Sequence, residues 1–245
     1  MKFSIGDVLW TSTKLLARNA HKFLAFTAIG YLPLILWTTV LSRGGTLTAL
    51  DIEHYENGSS WLRMLLDAFG ASAIAFGVQA SLRGTRAGLF ESFATGVRRA
   101  LPSLVVLIIT TIASALGAFL VIVPGVIIFC VTYVAVPVSV LERPGLFAAI
   151  ERSRALTLGR RFRIFGMLLV VWLVMFALLV VTMVVVTMIS GVETDSFFAG
   201  MRYLWSLLVF QILYGTVVAV ISAVTYVRLR ALEEGGDANL GKVFE

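Results

Sequence analysis

Residues 164–189 read IFGMLLVVWLVMFALLVVTMVVVTMI, and no charged side chain stands between Arg163 and Glu193. A helix over this stretch is about 39 Å long, more than the ~30 Å hydrocarbon core of a bilayer. A helix that is apolar all round belongs in the core of a large protein or in a membrane. A chain of 245 residues has no core large enough to hide it. The stretch is read as a transmembrane helix.

Four further runs qualify by the same measure: residues 23–41, 64–82, 101–123 and 203–227. A sixth, residues 126–141, is shorter and follows Pro124-Gly125. It is either a full span that borrows flanking residues or a re-entrant segment. Composition agrees with the class: 59% of the chain is hydrophobic, 14% is charged and the mean hydropathy is +0.94. A soluble domain is about a quarter charged. This excludes a soluble globular enzyme.

The distribution of Lys and Arg decides the topology. With a cytoplasmic N-terminus and six alternating spans, all but Arg43, Arg63 and Arg202 of the 20 basic residues fall on the cytoplasmic side. A re-entrant fourth segment would place Arg143, Arg152, Arg154, Arg160, Arg161 and Arg163 outside, against the positive-inside rule. Six spans are therefore expected, with both termini cytoplasmic and residues 228–245 as a tail. The net charge of +6 is explained by these gaps between apolar runs, so nucleic acid is not expected as a partner. Residues 1–19 lack the solid apolar centre of a cleavable signal, and the first span is expected to remain as an anchor.

The remaining segments divide in kind. The outer loop 42–60 carries Asp51, Glu53, His54 and Glu56, with turn signals at Gly44-Gly45 and Asn57-Gly58, and reads as a solvated acidic loop. The cytoplasmic segments each combine an amphipathic stretch with basic residues before a span. Three units of interfacial helix plus transmembrane hairpin are expected, starting near residues 4, 86 and 144. In the first (residues 1–22), Ile5, Val8, Leu9, Ser12, Leu15 and Leu16 share one face and Asp7, Thr11, Lys14 and Arg18 the other, with Ser4 as N-cap. That apolar face is expected to dip into the acyl boundary.

Small residues predict which spans are central. The second has Ala73, Gly77 and Ser81 at four-residue steps, and the third has Ala113, Ser114, Ala115, Gly117 and Ala118. Both are expected at the centre, because small side chains let helix backbones approach. The Val-rich fifth is expected to face lipid.

Candidate sites are few. Asp67 is an ionisable residue inside a span, and its expected partner is Arg63 one turn earlier. Pro124, Gly125 and Pro137 mark a candidate broken-helix region. In the third cytoplasmic segment, a helix over 146–158 puts Arg154 between Ile150 and Phe147 on the membrane side. Its partner there is either Glu142 or a lipid phosphate, or else Arg154 snorkels with Arg160, Arg161 and Arg163 as a topology determinant. Cys130 stands alone, His21 and His54 lie outside the spans, and no nucleophile elbow, P-loop or paired membrane carboxylates occur. No catalytic residue, metal or cofactor is expected.

The stretches 124–128 (PGVII), 136–142 (VPVSVLE) and 148–159 (AAIERSRALTLG), with the opening 3–9 (FSIGDVL) and the ending 226–235 (YVRLRALEEG), resemble the bacterial glycerophosphoryl diester phosphodiesterase membrane-domain family and its relatives. The resemblance implies a six-helix module, which in that family occurs alone or fused to a separate hydrolase domain. Only residues 228–245 follow the last span here, so the hydrolase chemistry is not expected of this chain. The sequence reads as a polytopic all-α inner-membrane protein of bacterial type. Its expected partners are anionic lipids and a possible protein partner; a transporter of an amphiphilic substrate is the alternative.

Overall fold

The computed structural model describes residues 4–42, 49–84, 89–120, 122–190 and 196–233. Among these there are nine helices and no strand: α1 (Ile5–Gly30), α2 (Leu32–Ser42), α3 (Ala49–Leu82), α4 (Leu89–Leu120), α5 (Ile122–Thr132), α6 (Ala135–Leu141), α7 (Leu146–Thr157), α8 (Arg161–Ser190) and α9 (Ser196–Glu233). Lys2, Phe3, Arg43, Gly44-Gly45, Arg86 and the tail beyond Glu233, with Lys242, lie outside the described residues.

Among the described residues, five lengths of helix are long and apolar enough to cross a membrane: Glu53–Leu82, Glu91–Phe119, Val123–Leu141, Arg161–Met188 and Met201–Glu233. The third of them is α5 and α6 together, so the short sixth run of the sequence has the length of a span. The first run instead divides between α1 and α2, which meet at 61° and count as a sixth length only when taken together.

α1 begins as the sequence predicts. Ser4 is extended, and its Oγ accepts from the Asp7 N–H at 3.4 Å. The helix changes direction at Asn19, where the amphipathic stretch ends. Its apolar face does not serve lipid as expected. Ile5, Val8, Leu9, Leu15 and Leu16 pack on the protein's own core, and Ser12 is buried. Trp10, Lys14 and Arg18 are exposed.

The centre is α3 and the second half of α9. In the best apolar window of α3, 61% of the residues are buried, against none in that of α8. Ala73 and Ala75 on α3 share one buried cluster with Val220, Val224 and Leu229 on α9. The expectation that the third span is central needs correction, since only 22% of its window is buried. Its small residues serve a narrower purpose. A Cβ on Gly125 of α5 would overlap the backbone of Ala118 of α4, so the two backbones touch there. Ser114, Ala115 and Ala118 of that stripe line a cavity. α8 exposes Val170, Leu173, Val174, Val181 and Val184.

The start of α1 and the last turns of α9 meet at one end of the bundle, called here the terminal end. Arg228 of α9 lies 3.6 Å from Asp7 of α1. α7 lies across this end, entered through Gly145 (φ 91°) and left through Gly159 (φ 74°), backbone positions that favour glycine.

Candidate functional site

Two of the apolar runs are broken inside the bundle, and both breaks have a proline as cause. A proline removes one helical N–H, and its ring crowds the carbonyl four residues earlier. Pro33 acts in this way on Ile29, and the chain turns between them at Tyr31. Pro137 acts on Tyr133, and α5 gives way to α6 across Tyr133-Val134.

Carbonyls freed within a membrane-depth bundle need other donors. At the second break they have them: Ser222 Oγ of α9 donates to the Tyr133 carbonyl at 3.1 Å, and Ser153 Oγ of α7 donates to that of Val131 at 2.7 Å. At the first break the side chain is held instead. Tyr31 OH donates to Asp67 Oδ1 of α3 at 2.6 Å. Gln211 of α9 is a hydrogen-bonding neighbour of the same pair. One turn before the break, Thr27 and Thr216 share a hydrogen bond of 2.8 Å.

Between the breaks lies a cavity of about 780 Å³. Its wall takes Thr27 from α1, Asp67 and Ala71 from α3, Ser114 from α4, Tyr133 at the second break and Gly215 from α9. Thr111 and Ala115 of α4, with Leu169 and Trp172 of α8, line the cavity and are exposed at the same time. The cavity therefore opens sideways through a slot between α4 and α8, toward the surroundings of the bundle. Among the described residues of its wall, Asp67 is the only Asp, Glu, Lys, Arg or His. The volume is in the range of small-ligand sites, and the wall is mostly apolar with a few converging polar groups.

The structure places the sequence candidates as follows. Asp67 lines the cavity, but the expected ion pair with Arg63 is not formed. Arg63 turns away, donating to the Glu56 carbonyl at 3.2 Å and to Ser59 Oγ, and acts on Asp67 only through space. The reason is that Tyr31, from another helix, reaches the carboxyl first. Pro124 stands in the first turn of α5, where its missing N–H costs nothing; Gly125 makes the α4 contact and Pro137 makes the break.

Of the alternatives for Arg154, the Glu142 pair is not formed. Glu142 accepts from Arg152 Nε at 3.1 Å and from Tyr226 OH at 2.9 Å, with Arg230 at 4.0 Å. Arg152 also reaches Glu233 at 3.6 Å. Arg154 is exposed, because α7 turns Ala149, Ser153 and Leu156 to the bundle and Phe147 away from it. Arg160 reaches the Leu156 carbonyl at 3.4 Å, and Arg161 lies half-buried at the start of α8. The cavity and the Glu142 cluster are separate features.

Sequence reasoning missed Tyr31, Pro33, Ser153 and Ser222. The signal for the first two was present as Gly30-Tyr31-Leu32-Pro33 in the middle of an apolar run. Comparison with family models, with curated proteins and with solved structures gives no match.

Proposed function

We propose that this chain is a non-catalytic integral protein of a bacterial inner membrane that holds a lipid or lipid-like amphiphile in its lateral cavity, in support of a partner or of membrane organisation. The observation that carries the proposal is the slot between α4 and α8, through which an apolar cavity of about 780 Å³ opens to where acyl chains would lie. The module has six spans, the first counted as the bent pair α1 and α2, with both termini cytoplasmic. The exposed Lys14, Arg18, Arg83, Arg98, Arg154 and Arg163 then meet anionic headgroups on the cytoplasmic face. The resemblance to the phosphodiesterase membrane-domain family supports the six-helix plan and carries no hydrolase activity to this chain.

Mass spectrometry of the protein released gently from detergent tests the occupant. Wild type should retain amphiphile, and Ala115→Trp, which fills the slot without crowding a buried position, should retain about tenfold less. Equal retention contradicts the proposal. Orientation is tested in intact cells: an impermeant maleimide should label cysteine placed at Asp51 and not at Arg98. A carrier reading differs in one respect, since it alone expects substrate-dependent flux in liposomes.

A further inference from the structure

A cavity that opens to a bilayer gains little from being apolar. Lipid tails are as apolar as the wall, so transfer of a chain from bilayer to cavity has almost no hydrophobic driving force. What distinguishes this cavity from the lipid outside is its polar groups, and among them one carboxyl.

Asp67 lies six residues inward of the exposed Trp61, about 9 Å along the axis of α3. Its Oδ1 is held from one side by Tyr31 OH at 2.6 Å, which fixes the carboxyl's direction. On the other side stands Gly215, which also lines the cavity, and a Cβ there would come within 3.4 Å of Oδ1. Glycine at that position keeps the cavity's approach to the carboxyl free of a side chain. Thr27 and Tyr214, in the same wall, bring further hydroxyl oxygens.

No Lys, Arg or His stands among the described residues of the wall. An ionised carboxyl in a low-dielectric site without a basic side chain in contact attracts a cation strongly and repels an anionic head. The hydroxyl oxygens of the same wall suit an ammonium, which has three donors to place.

Resting on the cavity reading above, we infer that the site takes an amphiphile with a positively charged ammonium head, for which Asp67 is the counter-ion. The apolar body of that molecule lies along the slot between α4 and α8, near Ala115 and Trp172. Tyr31 is then a positioning residue, because it holds the carboxyl and does not itself carry the charge. It also stands at the break between α1 and α2, so the head group and the bent helix share one contact.

The test uses the full chain in dodecyl maltoside, with tritiated dodecylamine against tritiated dodecan-1-ol and empty micelles as background. Hydrogen bonds to a charged group are worth enough for wild type to retain the amine at least about tenfold over the alcohol. Asp67→Asn should bring that ratio to about one, and Ala115→Trp should lower retention of both probes. Equal retention of amine and alcohol by wild type, or a preference that survives in Asp67→Asn, overturns the counter-ion role and leaves the cavity reading standing. Retention unchanged in Ala115→Trp overturns the cavity reading itself.

Should Asp67→Asn fail to fold, wild type alone decides. Dicyclohexylcarbodiimide, which couples to protonated carboxyls buried in membranes, should modify Asp67 of the empty site and be slowed severalfold by dodecylamine, which holds the carboxyl ionised, but not by dodecan-1-ol. Equal protection by the two probes overturns the inference.

Discussion

The two helix breaks share a cause and differ in how they are held. Pro33 and Pro137 each remove a helical donor, yet the second break is closed by serine hydroxyls on backbone carbonyls, at 3.1 and 2.7 Å. The first is held by a phenol on a carboxyl at 2.6 Å. Serine hydroxyls do not change charge, so the second break is a permanent feature of the backbone. A carboxyl exchanges protons and cations, and it faces a cavity. The difference separates a break that only shapes the site from one that a ligand can reach.

The largest expected effect concerns rigidity. A Cβ on Gly125, at the start of the second broken run, would overlap the backbone of Ala118, and a backbone cannot step aside. A Cβ on Gly30, beside the first break, meets the edge of the Phe69 ring at 2.8 Å, and a ring can turn. Gly125→Ala should cost about 3 kcal/mol and Gly30→Ala about 1 kcal/mol, as overpacking of an unyielding and a yielding neighbour. Thermal unfolding in detergent measures both. Equal shifts would remove the distinction between a fixed and an adjustable break.

A smaller effect sharpens it chemically. Ser222→Ala leaves the Tyr133 carbonyl without its donor, and Tyr31→Phe leaves Asp67 without its phenol. Each should cost about 1 kcal/mol, the usual scale for a hydrogen bond between membrane helices. Only Tyr31→Phe should change the rate at which a carbodiimide modifies Asp67. If Ser222→Ala changes that rate as much, the two breaks act as one unit.

Much of the architecture was legible because hydropathy needs no tertiary information. Apart from the breaks at Tyr31 and at Tyr133-Val134, each of the six apolar runs is helical where described, Ser4 caps α1 and Gly145 opens α7. The errors are local. In α7 the face read as the membrane side holds Phe147, which is 74% exposed, but also Thr157, which is fully buried with Ala149 and Ser153. Close helix contacts take small residues, and a bilayer accepts the large ones, so the size rule of soluble cores reverses. The same rule, read for α4, indicated close packing but not with which helix. The Asp67 partner was missed for a different reason: Tyr31 lies 36 residues earlier, and a pair on separate helices leaves no spacing signal. Pro33 was overlooked because a hydropathy window averages across a proline that a backbone cannot ignore.

The smallest expected effect is the most discriminating. Pro33→Ala restores an N–H that the Ile29 carbonyl can accept and removes the ring that crowds it. If the proline alone bent the span, α1 and α2 would become one straight helix. The far end of α2, with 11 residues bent at 61°, would then swing by roughly 15 Å. Three contacts oppose this: Tyr31 on Asp67 at 2.6 Å, Thr38 on Tyr55 at 3.0 Å, and Trp37 edge-on to Tyr55 with centroids 5.4 Å apart. They hold α2 along α3 whether or not residue 33 can donate. Spin labels at the exposed Val40 and Val209 should therefore report almost the same distance in Pro33→Ala as in wild type. The double variant Pro33→Ala with Tyr31→Phe should broaden the distribution toward longer distances. A full swing in the single variant would mean that proline, and not the Asp67 contact, holds the first break, which would make it the same kind of structure as the second.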